Sequence, residues 1–221
     1  GAFAHYGLGL WDRLFLTAGG RKDESDFFPD AATWRMGAAY LHRETGSKLK
    51  GGYGTAFKAP TLFELFGFAQ NFQGNPALKP EESTGWDAGV EQALWDGRAR
   101  VEAVYFRNRI RNLIIGAGQT ALNVPGARAD GVEVAASARP LPDVDVTFSY
   151  TFTRTRDSQS GDDLVRRPKH MANLGLFRRL MDGRAEIGLE VSYFGRQDDF
   201  FFDAAFNRVQ VEMPSRTLVN L

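Results

Sequence analysis

Arg184-Ala-Glu-Ile-Gly-Leu-Glu-Val-Ser-Tyr-Phe-Gly-Arg196 decides the fold. Ala185, Ile187, Leu189, Val191 and Tyr193 share one parity; Arg184, Glu186, Gly188, Glu190, Ser192 and Arg196 share the other, with Phe194 the exception. Successive strand side chains point to opposite faces, so the segment is a strand with one greasy and one ionic side. The pattern recurs. Val146, Phe148, Tyr150 and Phe152 alternate with Asp145, Thr147, Ser149, Thr151 and Thr153. Ala99, Val101, Ala103 and Tyr105 alternate with Arg98, Arg100, Glu102 and Val104. Val132, Val134, Ala136 and Ala138 alternate with Glu133, Ala135, Ser137 and Arg139, and Trp86, Ala88 and Val90 with Asp87, Gly89 and Glu91. Weaker alternation runs over 3–10, 14–24, 33–43, 48–57, 169–179 and 215–221. The count is about eleven strands, most of ten or more residues, the length a tilted bilayer-spanning strand needs (about 9–11).

Composition agrees with an all-β chain. Of 221 residues, 24 are Gly and 18 Phe, with 6 Tyr and 4 Trp. Charged residues make up 24% and hydrophobic ones 43%, which excludes disorder. The 27 basic and 27 acidic residues cancel, so nothing favours nucleic acid as a partner. The absence of Cys removes thiolate sites and disulfides. No apolar run approaches the roughly 18 residues of a membrane helix, which says nothing against a barrel.

Connections alternate strictly in length. Short ones lie at 11–13, 43–47, 95–97, 140–143 and 180–183; long ones at 25–32, 58–82, 112–127, 157–168 and 198–214. In an up-and-down sheet this puts tight turns at one end and long loops at the other, the asymmetry of an outer-membrane barrel. Trp11, Trp95, Phe15 and Phe177 fall near the short turns, and Trp34, Phe57, Phe106, Phe152 and Tyr193 toward the long loops, as two interfacial girdles would. A soluble β-sandwich also alternates; strand length, loop asymmetry and aromatic position favour the transmembrane barrel. The expected fold is therefore an antiparallel up-and-down transmembrane β-barrel.

Residues 51–92 carry a longer motif: Phe57-Lys-Ala-Pro60 ends a strand, a loop follows, then Asn75-Pro76-Ala-Leu78-Lys-Pro80-Glu81 leads into a strand through Trp86. With Tyr105 to Ile114, Asn123-Val and Gly131-Val-Glu133, this resembles the barrel of TonB-dependent outer-membrane receptors. The resemblance implies a piece, residues 1–221, of a 22-stranded barrel, with the plug and the final strands outside this chain. It also implies an outer-membrane location in a Gram-negative bacterium, lipid contact, a monomer, and an inner-membrane TonB protein as energy-coupling partner. The cargo is expected to be a scarce bulky nutrient, a ferric siderophore or cobalamin; the absence of His from 61–74 argues against haem. A passive porin or a structural outer-membrane barrel is the alternative. An isolated segment with two open edge strands is expected not to form a stable barrel.

Phe57, Pro60, Asn75, Pro76, Leu78, Pro80 and Glu81 have local structural reasons, since Pro cannot donate to a ladder and X-Pro fixes extended backbone. They are read as a loop-anchoring element. The ionic parity, with Arg98, Arg100, Glu102, Glu133, Arg139, Arg184, Glu186 and Glu190 joined by Lys48 and Lys50, is expected to line a wet lumen. Ligand contacts are expected from Phe63, Phe66, Phe68, Gln70, Asn71 and Phe72 in one loop and Asp198, Asp199, Phe200, Phe201, Phe202 and Phe206 in another, although rings packed loop on loop explain the same residues. His5, His42 and His170 form no catalytic or metal pattern, and no enzyme, cofactor or metal is expected. Asp157, Ser158, Ser160, Asp162 and Asp163 lack the spacing of a calcium loop and are read as solvated.

Overall fold

The computed structural model describes residues 1–69, 71–205 and 207–221, with Ala117 described by its backbone alone. Eleven antiparallel strands form one sheet in which sequence neighbours pair. They begin with β1 (Ala2–Leu10), β2 (Leu14–Asp23), β3 (Ala31–His42) and β4 (Ser47–Lys58). After a short helix α1 (Leu62–Phe66) and the two-residue strands β5 (Phe68–Ala69) and β6 (Phe72–Gln73), the sheet resumes with β7 (Glu81–Leu94), β8 (Ala99–Ala117), β9 (Thr120–Leu141), β10 (Val144–Asp157), β11 (His170–Leu180) and β12 (Ala185–Phe194). A separate hairpin, β13 (Gln197–Phe202) with β14 (Arg208–Met213), precedes the last sheet strand, β15 (Arg216–Asn220). The barrel is open between β1 and β15, as expected of a part of it. No described helix is long and apolar enough to cross a membrane.

The registers carry one face across the whole sheet. Leu8 pairs with Leu16, Leu16 with Ala38, Tyr40 with Leu49, Leu49 with Val90 and Val90 with Ala103. Ala103 continues to Val134, then Tyr150, Ala172 and Tyr193. Among the described residues no second layer covers this face. Ile187 is 58% and Phe148 40% exposed, and the buried apolar side chains among the described residues are only Leu65, Leu78, Ala99, Ile114, Ala121 and Ala127 with Pro60 and Pro80. A two-layer sandwich would bury that face against a second sheet; here hydrocarbon must cover it. A cavity of about 610 Å³ lies on this face, lined by Tyr6, Leu8, Leu16, Met36 and Tyr53.

The short-turn end uses one sequence device twice. Trp11-Asp12 and Trp95-Asp96 all have φ of 52–53°, so each Trp-Asp pair makes the same left-handed tight turn, of the kind that matches hairpin twist. Arg98 lies in the second of these turns and Arg184 ends the turn at 181–183, so neither stands on a strand.

Two expected loops are strands. The segment 112–127 is the upper part of β8 and β9, whose ladder runs on through Leu113 opposite Val124 and Ile115 opposite Leu122 to Ala117 opposite Thr120. Asn123 and Pro125 suggest a loop in sequence, yet the ladder passes them by local adjustment. Pro125 has no N–H to give, and Asn112 opposite it turns to φ 54°. The segment 198–214 is the hairpin of β13 and β14, in which Phe200 pairs with Gln210 and Phe202 with Arg208.

Three of the girdle rings lie on the other face. Phe15 pairs with Ala39, Phe106 with Gly131 and Phe177 with Gly188, all on the parity that carries the charges. A Cβ on Gly131 would stand 2.8 Å from the Phe106 ring, and one on Gly188 2.8 Å from the Phe177 ring. The missing side chains give these rings space to lie against the sheet. Trp34, Phe57, Phe152 and Tyr193 do face the apolar side.

Candidate functional site

Two clusters rise from the long-loop end. The first is built on the Phe57–Glu81 motif. Thr61 caps α1: its Oγ1 accepts from the Glu64 amide at 3.1 Å, and the Thr61 amide donates back to the Glu64 carboxylate at 2.7 Å. The amide and hydroxyl of Thr61 hold the Glu64 carboxyl below its usual range. Leu65, 1% exposed, points into a small core with Leu78, Ile114 and Ala121, and Phe72 packs against it. Asn75 donates from Nδ2 to the Ala121 carbonyl at 3.0 Å, and its Oδ1 accepts from the Ala77 amide. Asn123 grips the Lys79 backbone from both sides: Oδ1 accepts from its amide at 2.8 Å and Nδ2 donates to its carbonyl at 2.9 Å. Glu81 accepts from the Ile114 amide at 3.1 Å and pairs with Lys58 at 2.9 Å. Pro60 and Pro80 are buried, and Phe57 leans on Phe28 with centroids 6.5 Å apart. The motif thus bolts the 59–80 loop to the β8–β9 extension. Sequence reasoning missed Asn123 as the clamp because that extension was read as a loop.

Of the ring residues expected here, Phe63 stacks on Phe72 at 4.8 Å and Phe66 meets Phe27 edge-on at 5.8 Å. These are loop-on-loop contacts. Phe68 is 87% exposed and shares a cavity of about 480 Å³ with Asn71, Phe72, Gln73, Gln119 and Thr120. Gln70 and Phe206 lie outside the described residues.

The second cluster joins the 158–169 loop to the β13–β14 hairpin through Arg166. Its amide donates to the Asp198 carbonyl at 2.7 Å and its Nε to Asp199 at 2.7 Å. Two guanidinium groups approach the Phe200 ring, Arg208 at 4.2 Å and Arg166 at 5.3 Å from its centre. Phe201 and Phe202 are exposed. A polar cavity of about 360 Å³ opens beside this joint, lined by Asp163, Arg167, Lys169, His170, Arg196 and Asp198. Arg166 and Arg208 had no sequence signal, since their meeting with Phe200 depends on how two loops dock.

Arg166, then the Phe200 amide, hold the Asp199 carboxyl below the usual carboxylate range. A carboxylate lowered in this way contributes to docking above its unfolded value of about 3.9, and the contribution is lost as pH falls through the lower folded value. The chain has no Cys, so in the intact protein, with any Cys outside this chain replaced by Ser, a spin label on Phe201→Cys reports this joint alone. Its spectrum is expected to stay constrained from pH 8 to 5 and to sharpen below the ordinary carboxylate range. Asp199→Asn is expected to give the sharp spectrum already at pH 7. Identical spectra for both proteins at every pH would exclude the latch.

On the charged face of the sheet, Glu91 pairs with Lys48 at 3.0 Å and Arg100 at 3.3 Å, and Lys50 with Glu102 at 2.6 Å. Asp145 joins Arg139 at 2.7 Å and Arg179 at 3.1 Å. Glu133 faces Thr151, Glu186 faces Arg179 and Glu190 faces Gly175. Among the described residues no three His, Asp or Glu converge as metal ligands. Asp157 is occupied by the Gln159 and Ser160 amides and Asp163 by Lys169.

A wide antiparallel sheet with one uncovered apolar face, tight turns at one end and structured loops at the other defines part of a transmembrane β-barrel. The family model described as "TonB dependent receptor-like, beta-barrel" matches residues 1–221, and the chain belongs to this family. Its fold is similar to the ferric enterobactin receptor PfeA of Pseudomonas aeruginosa, at 22% identity and TM-score 0.82 over 98% of this chain and 36% of that one. It is also similar to the siderophore receptor PirA of Acinetobacter baumannii, at 18% identity and TM-score 0.82 over 98% of this chain and 38% of that one. The ferripyoverdine receptor of the outer membrane of P. aeruginosa, bound to ferripyoverdine, matches at 18% identity and TM-score 0.76 over 97% of this chain and 31% of that one. The chain therefore spans about a third of the length of these proteins.

Proposed function

We propose that this chain is part of a Gram-negative outer-membrane active transporter that carries a ferric siderophore. The observation that carries the reading is the second loop cluster. Phe200 with Arg166 and Arg208 close to its ring, beside a cavity where Arg167 joins the ion pairs Lys169–Asp163 and Arg196–Glu212, suits a metal chelate that carries both aromatic rings and charge. Phe68 and Asn71 at the first cluster offer a second contact. The charged face, with its crossed ion pairs, lines the lumen and faces a plug formed outside this chain. Transport is driven by a TonB protein through that plug region, the receptor acts as a monomer, and it performs no covalent chemistry on its cargo. The similar structures, a ferric enterobactin receptor and a receptor bound to ferripyoverdine, support a siderophore over cobalamin.

Deletion of the gene is expected to abolish growth on the matching ferric siderophore as sole iron source, and a protonophore to stop uptake of radioactive iron in the parent strain. Normal iron uptake with lost growth under cobalamin limitation would reassign the cargo. A large standing conductance of the intact protein in a planar bilayer would replace the gated transporter with a porin.

A further inference from the structure

On three adjacent strands the apolar face ends in arginines. In β8, Tyr105 is followed on the same face by Arg107, Arg109 and Arg111; in β10, Phe152 is followed by Arg154 and Arg156; in β9, Arg128 and Asp130 precede Val132. The registers set them side by side: Arg107 opposite Asp130 opposite Arg154, and Arg109 opposite Arg128 opposite Arg156. All six lie on the parity of Val101, Val134 and Phe148, not on that of Glu102 and Glu133.

This arrangement is unfavourable for the protein alone. Directly opposed residues have Cβ atoms about 4.5–5.5 Å apart, and like charges there repel. Yet Arg109, Arg128 and Arg156 occupy one cross-strand row. The acidic groups nearby are few. Glu82 pairs with Arg111 at 3.3 Å, Asp130 approaches Arg128 at 3.5 Å, and Asp163, bridged by backbone to Arg156, is held by Lys169 at 2.6 Å. Arg107, Arg109, Arg154 and Arg156 pair with no carboxylate among the described residues. Arg109, Arg128, Arg154 and Arg156 are exposed.

Position supplies the counter-charge. The row stands just beyond the last rings of the apolar face, at the long-loop end, where hydrocarbon gives way to headgroups. A guanidinium row at that depth suits bidentate bonds to phosphate oxygens. We propose that Arg109, Arg128 and Arg156, with Arg107 and Arg154, form a binding site on the outer wall for a phosphate-bearing lipid headgroup of the adjoining leaflet. The site is separate from the cargo loops. It rests on the outer-membrane reading only for which leaflet supplies the lipid.

The test uses the purified full-length protein in neutral detergent, with lipid A, a bisphosphorylated acylated disaccharide, as the probe. Native mass spectrometry is expected to retain lipid A on the wild type, and the heat-modifiability midpoint is expected to rise with it. The R109Q/R128Q/R156Q variant is expected to bind at least thirty-fold more weakly while still folding, because the substitutions remove repulsion. Arg178→Gln, on the same face near the short-turn end beside Asp143, is expected to bind as wild type. Equal binding of fully dephosphorylated lipid A, equal binding by the triple variant, or the same midpoint rise with inorganic phosphate alone would each overturn the proposal. Density-gradient fractionation of cells separates the two readings. Protein absent from the outer-membrane fraction with lipid A binding intact defeats the transporter location and leaves the arginine row standing; protein present there without lipid A binding does the reverse.

Discussion

Leu174→Arg is expected to block assembly of the intact receptor, whereas Asn173→Arg is expected to be tolerated. The two residues are adjacent in β11 but face opposite sides: Leu174 pairs with Phe148 and Val191, Asn173 with Ser149 and Ser192. An arginine on the hydrocarbon side at mid-height costs about 2–4 kcal/mol, a large part of the marginal stability of a folded protein. On the other side it enters a wall already crossed by ion pairs such as Lys48–Glu91 and Arg139–Asp145. Heat-modifiability on gels of outer-membrane fractions reads the outcome. Equal loss for both variants, or loss for Asn173→Arg alone, would reverse the sidedness assigned to the sheet and with it the lumen.

The second large effect is expected at the loop core. Leu78→Ala removes a side chain that is 3% exposed from a cluster whose other buried members are Leu65, Ile114 and Ala121. Truncating a buried Leu costs about 2–5 kcal/mol, and so small a core has few contacts to spare. The barrel below does not share this core, so unfolding is expected to be local. Chymotrypsin on intact cells is expected to cut near Phe68 and Phe72 in the variant and not in wild type, cargo uptake is expected to fall at least ten-fold, and heat-modifiability is expected to stay unchanged. Wild-type protease resistance in Leu78→Ala would show that the hydrogen bonds of Asn75, Asn123 and Glu81 hold the loop without the apolar cluster.

The sheet was legible because alternation is a local property. The parity of Ile187, Leu189 and Val191 gives the strand and its greasy side without knowledge of the neighbours. The Phe57–Glu81 motif was legible as an anchor because each Pro restricts its own backbone. The hairpin of β13 and β14 was missed because Asp198, Asp199 and a run of Phe carry no clear polar-apolar alternation, and the β8–β9 extension because Pro125 reads as a breaker. The rings of Phe15, Phe106 and Phe177 were assigned by distance from the turns, which ignores parity.

Strand count, the apolar face of each strand and the division into turn end and loop end came from the order of residues alone, because hydrophobic period and turn chemistry act over a few neighbours. The partners of Asn123, the meeting of Phe200 with Arg166 and Arg208, and the alignment of Arg109 with Arg128 and Arg156 were decided only by the folded chain. Each depends on register or docking between segments distant in sequence, and a shift of one residue moves a side chain to the opposite face of a sheet.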